Sequence, residues 1–537
     1  MRKFLTLLAL LCTTTAVAQQ DAKINIDAVQ LRKLQVAEVA ISNLYVDSVD
    51  QEKLVEDAIN GMLTKLDPHS TYTNAKATQK FNEPLQGNFE GIGVQFNILN
   101  DTLLVIQPVS KGPSERAGIL AGDRIVRVDG RPIAGVKMPR DTIMSLLRGP
   151  KGTQVELGVV RRGASGMLTF RVTRDKIPVN SLDAAYLIRP GIGYIRLDNF
   201  AQTSGSEVRE AIKKLEQKGM KSLILDLQYN GGGYLGAAVD VANEFLEIGD
   251  LIVYTEGRAI PRETYTAKGG GRFGKGRLAV LVDEFTASAA EIVSGAVQDH
   301  DRGIIVGRRT FGKGLVQRPV PLPDGAMIRL TVAHYYTPSG RCIQKPYEKG
   351  NKRDYDMDLV NRYTHGELTS IDSVHLDSSK VYKTLERGRT VYGGGGIMPD
   401  YFVPTDTTAY TRFYTALSRQ NIINELSLHY IDQNRKALSK NYGSIEDFVA
   451  RYEVPQSLVD SIISRGKSLK VVPKDSAEQA ETVPQLRFML KALVAYDLWD
   501  RSEYFRIVNE RNPIVRKAVE LLMKEPDNVT GLSVYKG

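Results

Sequence analysis

The stretch Arg277-Leu-Ala-Val-Leu-Val-Asp283-Glu-Phe-Thr-Ala-Ser288-Ala-Ala-Glu291-Ile-Val-Ser-Gly-Ala296-Val297 decides the fold class. Residues 277–283 are a short apolar run of the kind buried on both faces of a sheet. From 291 to 300 the apolar positions Ile292, Val293, Ala296 and Val297 share one helical face. A strand that hands over to a helix is the building unit of an α/β core. The same alternation precedes it, with a strand expected over 193–197, a helix over 204–217, a strand over 222–227, a helix over 234–245 and a strand over 251–254.

Ser288 falls at the start of the 291–300 helix. Backbone N–H groups are unpaired there and the helix dipole favours negative charge, so the Ala289 N–H is placed to meet an oxyanion formed beside the serine. A hydroxyl is a weak nucleophile at neutral pH and needs a base; a lysine amine serves when it is desolvated and neutral. Thr310-Phe-Gly-Lys313-Gly-Leu-Val-Gln317 supplies such a lysine 25 residues after the serine, among Phe311, Leu315 and Val316, with Gln317 placed to orient the amine. The same residues admit a plainer reading. Ser288 with Glu291 three residues on is also a capping box, and Lys313 between two glycines reads equally as a solvated turn lysine.

Taken together, Ser288-Ala-Ala-Glu-Ile and Gly307-Arg-Arg-Thr-Phe-Gly-Lys-Gly-Leu-Val-Gln317 resemble the C-terminal processing (tail-specific) peptidases. Leu225-Asp-Leu-Gln228-Tyr-Asn230-Gly-Gly-Gly233, Tyr335-Tyr-Thr-Pro-Ser-Gly-Arg341 and Gly396-Ile-Met-Pro-Asp400 fit the same family. The resemblance covers roughly 60–345 and recurs near 395–403. It implies Ser288 as nucleophile, Lys313 as general base and Gln317 as the lysine's partner. It also implies a multidomain α/β protein, with a crotonase/Clp-protease-like peptidase core, an inserted PDZ domain and helical N- and C-terminal regions. Glycines let backbone N–H groups approach a scissile carbonyl closely, so Gly232 or Gly233 is the second oxyanion donor beside Ala289. Two positions depart from the family pattern. Gln228 stands where arginine is usual, which leaves the charge balance near the site open, and Ala290 stands where a second serine is frequent.

From 87 to about 177 the pattern turns to short strands around 91–94, 103–107, 114–119 and 122–130, and resembles a PDZ domain. Such a domain would add a peptide C-terminus as an extra strand, with Gly91, Ile92, Gly93 and Val94 as the substrate-binding residues.

At 537 residues the chain suggests three or four domains. Expected boundaries are 1–18 signal peptide, 19–85 helical region, 86–177 PDZ domain, 178–404 peptidase core with a polar insertion at 346–394, and 405–537 helices. The start has the charged, apolar and small-residue parts of a secretory leader, with cleavage after Ala18; Cys12 raises a lipoprotein alternative that the bulky Leu11 disfavours. An exported, periplasmic or envelope-associated protein is expected. No later stretch has the ~20 apolar residues of a membrane span. Loss of Arg2 and Lys3 with the leader takes the net charge from +9 to +7, spread along the chain, which gives nucleic-acid binding little support. Only Cys342 then remains, so no internal disulfide is expected. The six histidines are scattered, without a metal-ligand spacing, and no cofactor or metal is expected. His69 reads as a turn or packing residue. His300 would lie roughly 18 Å along the helix from Ser288, too far to serve as its base.

The sequence therefore points to an exported serine endopeptidase acting on proteins with unstructured C-terminal tails, with the helical termini available for homodimerisation. The alternatives are a non-catalytic PDZ adaptor for exported proteins and a crotonase-like acyl-CoA enzyme; the intact Ser288, Lys313 and Gln317 set argues against the first and the export leader against the second.

Overall fold

The computed structural model describes residues 27–524; the expected leader and the last residues lie outside them. Of the described residues, 27–63 form one compact unit and 64–524 another. The first contains the helices Ala28–Leu44 and Gln51–Leu63. Asp27 caps the first by accepting from Val29 N and Gln30 N, and that helix leaves Val29, Leu34, Val36 and Val39 exposed.

The heart of the second unit is a six-stranded sheet in the order Leu182–Arg189, Ile192–Leu197, Ser222–Asp226, Arg277–Val282, Ile304–Gly307, Tyr401–Phe402. The first pair is antiparallel and the remainder parallel. Period-two alternation sends Leu223, Leu225, Val280 and Val282 to one face, against the helices Ser204–Gln217, Leu235–Asn243 and Ala289–Asp299. Ile224, Ala279, Leu281 and Val306 point to the other face, which is covered by Ile514, Val515, Ala518 and Leu521 of the helix Pro513–Met523. Strands apolar on both sides need cover on both. The last described helix of the C-terminal region thus packs on the core sheet.

A second, antiparallel sheet joins Thr71–Thr73, Met327–Tyr336, Leu251–Glu256 and Glu263–Thr266, with Leu315–Pro321 paired to Met327–Tyr336. The strand expected over 251–254 therefore leaves the parallel sheet. The residues before the PDZ domain also contribute to the core, because Thr71 lies opposite Arg329 and Thr73 opposite Met327. The PDZ domain is inserted between Thr71–Thr73 and the rest of the core, and its entry and exit run together as the strand pair Asn88–Gly91 and Asp175–Pro178.

The PDZ sheet runs Val94–Leu99, Thr102–Pro108, Arg124–Val128, Gln154–Val160, Met167–Thr173 around a core of Leu103, Val105, Ile125, Leu157 and Val159. One expectation fails here. Residues 114–119 are not a strand: Pro113–Ala117 is a helix, started by a proline in its first turn and stopped by Gly118 in the left-handed conformation. The 346–394 insertion holds the helix Lys352–Thr364 and the strands Val381–Lys383 and Thr390–Tyr392. Its buried Arg362 donates to the carbonyls of Arg309 and Thr310 and to Glu367, pinning the segment that carries Lys313.

Candidate active site

Two neighbouring parallel strands, Ser222–Asp226 and Arg277–Val282, end side by side, and the loops that follow them are stitched together. Ala287 N donates to Asn230 O at 2.9 Å, Thr286 Oγ1 to Leu227 O at 2.8 Å, and Tyr229 N to both Asp283 oxygens at 3.1 Å. Burial pushes the Asp283 carboxyl up to about 6. The glycine ribbon 231–233 therefore lies against Ser288. At Gly232, with φ at 97°, a Cβ would stand 2.8 Å from Ser288 Cβ and 3.0 Å from Ala289 N, so the close approach requires glycine. Gly232 N–H is already used, donating to Asn230 Oδ1 at 2.8 Å. Gly233 N–H and Ala289 N–H have no acceptor among the described residues. Of the two glycines, Gly233 keeps a donor to offer.

Ser288 caps the helix Ala289–Asp299 and forms a capping box with Glu291. A plain cap has extended backbone, whereas Ser288 sits at φ 56°, ψ −117°. A non-glycine residue there costs on the order of 1–3 kcal/mol, and such strain concentrates at functional sites. Only the Glu291 half of that box, accepting from Ser288 N at 2.8 Å, is present as a hydrogen bond among the described residues, and it does not by itself explain this conformation.

Glu291 joins the two halves of the site. Fully buried, its Oε1 accepts from Thr310 Oγ1 (2.5 Å) and Gly312 N (2.8 Å), and its Oε2 from Ser288 N (2.8 Å) and Lys313 N (2.9 Å). Burial pushes its carboxyl up to about 7 against these four donors. Lys313 is anything but a solvated turn residue. Burial, then the neighbouring Arg329 charge, draws its amine down to about 8, and the amine has no hydrogen-bond partner among the described residues.

Ser288, Ala289, Gly232, Gly233, Lys313 and Gln317 all line one cavity of about 470 Å³. Gln317 follows a slip in the pairing between Leu315–Pro321 and Met327–Tyr336, a bulge of the kind that re-aims a side chain. Its amide donates to Thr331 Oγ1 at 3.2 Å rather than to Lys313, and Thr331 Oγ1 donates in turn to Asp67 Oδ1 at 2.8 Å. Phe81, Asn82, Leu85 and Gln86, from the helix Ala75–Gln86, and Arg329 also line the cavity. Sequence reasoning passed over them because an amphipathic helix before a PDZ domain carries no chemical signature. Arg329 stacks over Phe81 at 3.9 Å, and its Nε is buried without a partner.

The departure at position 228 resolves locally. Gln228 is buried and donates from N and Nε2 to Asp226 Oδ1, while Arg196 places Nη1 on Asp226 Oδ2 and Nη2 on the Gln228 carbonyl. The guanidinium that balances Asp226 comes from the adjacent strand. His69 lies in a turn closed by Asp67, with Nε2 at 2.8 Å from Tyr355 Oη and its ring edge-on to Phe311. Burial holds it neutral, with a value near the bottom of the range at about 3. His300 bonds Leu251 O at the far end of its helix. Among the described residues no cluster of three His, Cys, Asp or Glu could hold a metal ion, and no helix is long and apolar enough to cross a membrane.

In the PDZ domain, Ile92, Gly93 and Val94 line a groove of about 340 Å³ with Phe96, Arg140 and Arg148. The N–H group of Gly93 has no acceptor among the described residues, whereas Ile92 is engaged by the bridge that pairs Gly91 with Arg148. Gly91 stands behind the groove, paired with Asp175.

Residues 191–357 match peptidase family S41 and 91–173 a PDZ domain. Residues 9–77 match the N-terminal domain of the activating protease CtpB, and 413–500 a family of unknown function. The carboxy-terminal-processing protease of Bartonella bacilliformis is 39% identical over 307 residues, 56% of this chain and 69% of that one. The carboxy-terminal processing protease CtpA of Bacillus subtilis is 35% identical over 360 residues, 67% of this chain and 74% of that one. Among solved structures, a photosystem II D1 C-terminal processing protease is 33% identical, with 59% of this chain and 91% of that one covered and a TM-score of 0.33.

Proposed function

This chain belongs to the carboxy-terminal processing serine proteases of peptidase family S41 and carries a PDZ domain, and from that premise we propose that it cleaves polypeptides bearing unstructured C-terminal tails by a Ser288/Lys313 dyad. The observation that carries the proposal is the shared cavity: a strained serine, a buried lysine without a hydrogen-bond partner and two free N–H groups open onto the same space.

The chemistry follows from these groups. With its pKa near 8, about a tenth of Lys313 is neutral at pH 7, without any partner having to remove its proton. The neutral amine accepts the Ser288 Oγ proton as Oγ attacks the scissile carbonyl carbon. The carbonyl oxygen, now an oxyanion, receives hydrogen bonds from Ala289 N–H and Gly233 N–H, which are fixed before the reaction and need no reorganisation. Lys313 returns its proton to the leaving amine, an acyl-enzyme remains on Ser288, and water activated by the same amine releases it. Gln317, held by Thr331, limits where the lysine side chain can lie.

The PDZ groove supplies tail recognition. The Gly93 N–H suits a terminal carboxylate, the Val94–Leu99 edge an added strand, and Arg140 favours its negative charge, while Arg148 is paired with Glu83. The leader-like sequence at 1–18 supports action outside the cytoplasm, in the periplasm or at the envelope. Self-association through the helical termini is supported by the exposed apolar side chains of Ala28–Leu44.

The test is cleavage of a loosely folded protein with an apolar C-terminal tail by the parent chain, Ser288→Ala and Lys313→Ala. Loss of cutting in both variants with tail binding kept is expected. Binding without cutting in all three would leave a PDZ adaptor.

A further inference from the structure

Beside the peptidase core and the PDZ domain, the helices from Arg412 to Val508 pack around their own apolar core, which includes Phe413, Ile431, Phe448, Ile462 and Leu490. This module docks on the PDZ sheet. Leu428, on the helix Ile422–Asn441, forms a small buried cluster with Leu99, Leu104 and Ile106. One turn further along, Asp432 takes Arg124 at 2.6 Å and Arg162 at 3.3 Å with its carboxylate only 5% exposed, and its carbonyl accepts a second Arg162 bond at 3.0 Å. Arg435 of the same helix donates to Asp497 O at 2.7 Å, which ties the docking helix to the end of the helix Ser476–Leu498. Beside Asp497 on that helix, Tyr496 lines the PDZ groove together with Phe96, Asn97 and Arg140.

The direction of the groove gives this wall a meaning. A tail added antiparallel to Val94–Leu99 has its carboxylate at Gly93, and its earlier residues run toward Leu99. Leu99 is the end on which Leu428 sits. The module therefore stands at the upstream end of the groove, with Leu428 about six residues or roughly 20 Å from the carboxylate and Tyr496, beside Phe96 and Asn97, about four residues or roughly 13 Å from it at 3.3 Å per residue.

We propose that the C-terminal helical module is part of the tail-recognition site: docked through Leu428 and Asp432, it sets Tyr496 as the upstream wall, and the groove selects substrate tails with an aromatic residue about four places before the end. The inference rests on the tail-binding reading above. An aromatic pair contributes about 0.5–1.5 kcal/mol beyond area burial, which corresponds to roughly a two- to tenfold preference.

The experiment uses the full chain with Ser288→Ala, to prevent cleavage, and two fluorescent eight-residue peptides ending in small apolar residues, with Phe or Ser four places before the end. The Phe peptide is expected to bind about two- to tenfold more tightly. Tyr496→Ser should remove that preference and Tyr496→Phe should keep it. Asp432→Ala should also remove it, with near-UV circular dichroism reporting that the module remains folded. Preference that survives Tyr496→Ser, or absence of preference in the parent, overturns the inference. An amidated peptide end separates the two claims: if amidation leaves affinity unchanged, the tail-binding reading itself fails, whereas loss of affinity on amidation with an indifferent Tyr496 refutes only the wall.

Discussion

Glu291→Gln probes how the two halves of the site are held together. The carboxylate accepts two hydrogen bonds on each oxygen, and all four partners are donors: Thr310 Oγ1 and Gly312 N on one, Ser288 N and Lys313 N on the other. A glutamine of the same shape has one oxygen and one NH2. With the NH2 toward Ser288 N and Lys313 N both bonds there are lost; turned the other way it opposes Gly312 N, while the Thr310 hydroxyl can rotate to accept, so at least one bond to a charged acceptor is lost. At about 1.5–3 kcal/mol each, the loss is about 1.5–6 kcal/mol at the junction. The chain can relieve it by letting either Ser288 or the 310–313 segment move off. A displacement of about 1 Å in a catalytic group costs about a hundredfold in rate. Steady-state cleavage of a tail peptide at a pH above the Lys313 value should therefore show kcat lower by about a hundredfold or more, with KM little changed because the PDZ groove is untouched, and thermal unfolding at the same pH should come earlier by several degrees. A variant with kcat within threefold of the parent and an unchanged Tm would refute the reasoning, since the four-donor carboxylate would then hold nothing that the reaction needs.

The pH profile is a second test. Lys313 must be neutral and is drawn down to about 8; Glu291 must be ionised to accept its four bonds and is pushed up to about 7. Activity is expected to rise with pH, with a slope near one in log kcat/KM between these values and a steeper slope below about 7; a flat profile across this range would contradict the assignment. Asp67 raises the Lys313 value by its charge, while Thr331 only bridges Asp67 to Gln317. Glu291 also raises that value and Arg329 opposes it. Asp67→Asn should accordingly shift the acid limb to lower pH. Thr331→Val should lower kcat with the limb in place, and identical limbs in all three proteins would remove Asp67 from the site. Gly232→Ala puts a methyl 2.8 Å from Ser288 Cβ and 3.0 Å from Ala289 N. It should reduce kcat by about a hundredfold, the size of an oxyanion-hole loss, and activity near the parent's would mean that the ribbon and the serine do not approach as closely as described.

The strand-to-helix units were legible because buried strands and amphipathic helices write their periods directly into the sequence, and the helix over 204–217 appears at those bounds. Ser288, Lys313 and the glycine ribbon stood out through the resemblance of their blocks to a family, since the residues alone also admit a helix cap and a turn lysine, and the structure brings them to one cavity. The choice between Gly232 and Gly233 was not, because it depends on which N–H the side chain of Asn230 occupies. Gln317 was expected on the lysine and is found on Thr331, a cross-strand partner whose identity is set by a bulge. Long-range partners leave little local trace. Asp67 looked like the end of a helical run, Arg196 like one residue of a buried strand, and Arg362 like part of a polar insertion, yet each meets its partners across more than 25 residues. The segment 114–119 was misread because a short run of mixed residues inside a β-rich domain has no period to decide it, whereas the proline and the glycine at its two ends do.

The most direct measurement is mass spectrometry of the full chain, quenched in acid during turnover of a tail peptide carrying an activated ester at the scissile bond. An acyl adduct on the proteolytic fragment that contains Ser288 is predicted in the parent, with none in Ser288→Ala and slowed formation in Lys313→Ala. Turnover by the parent with no adduct at any time, or continued cleavage by Ser288→Ala, would contradict the Ser288/Lys313 dyad.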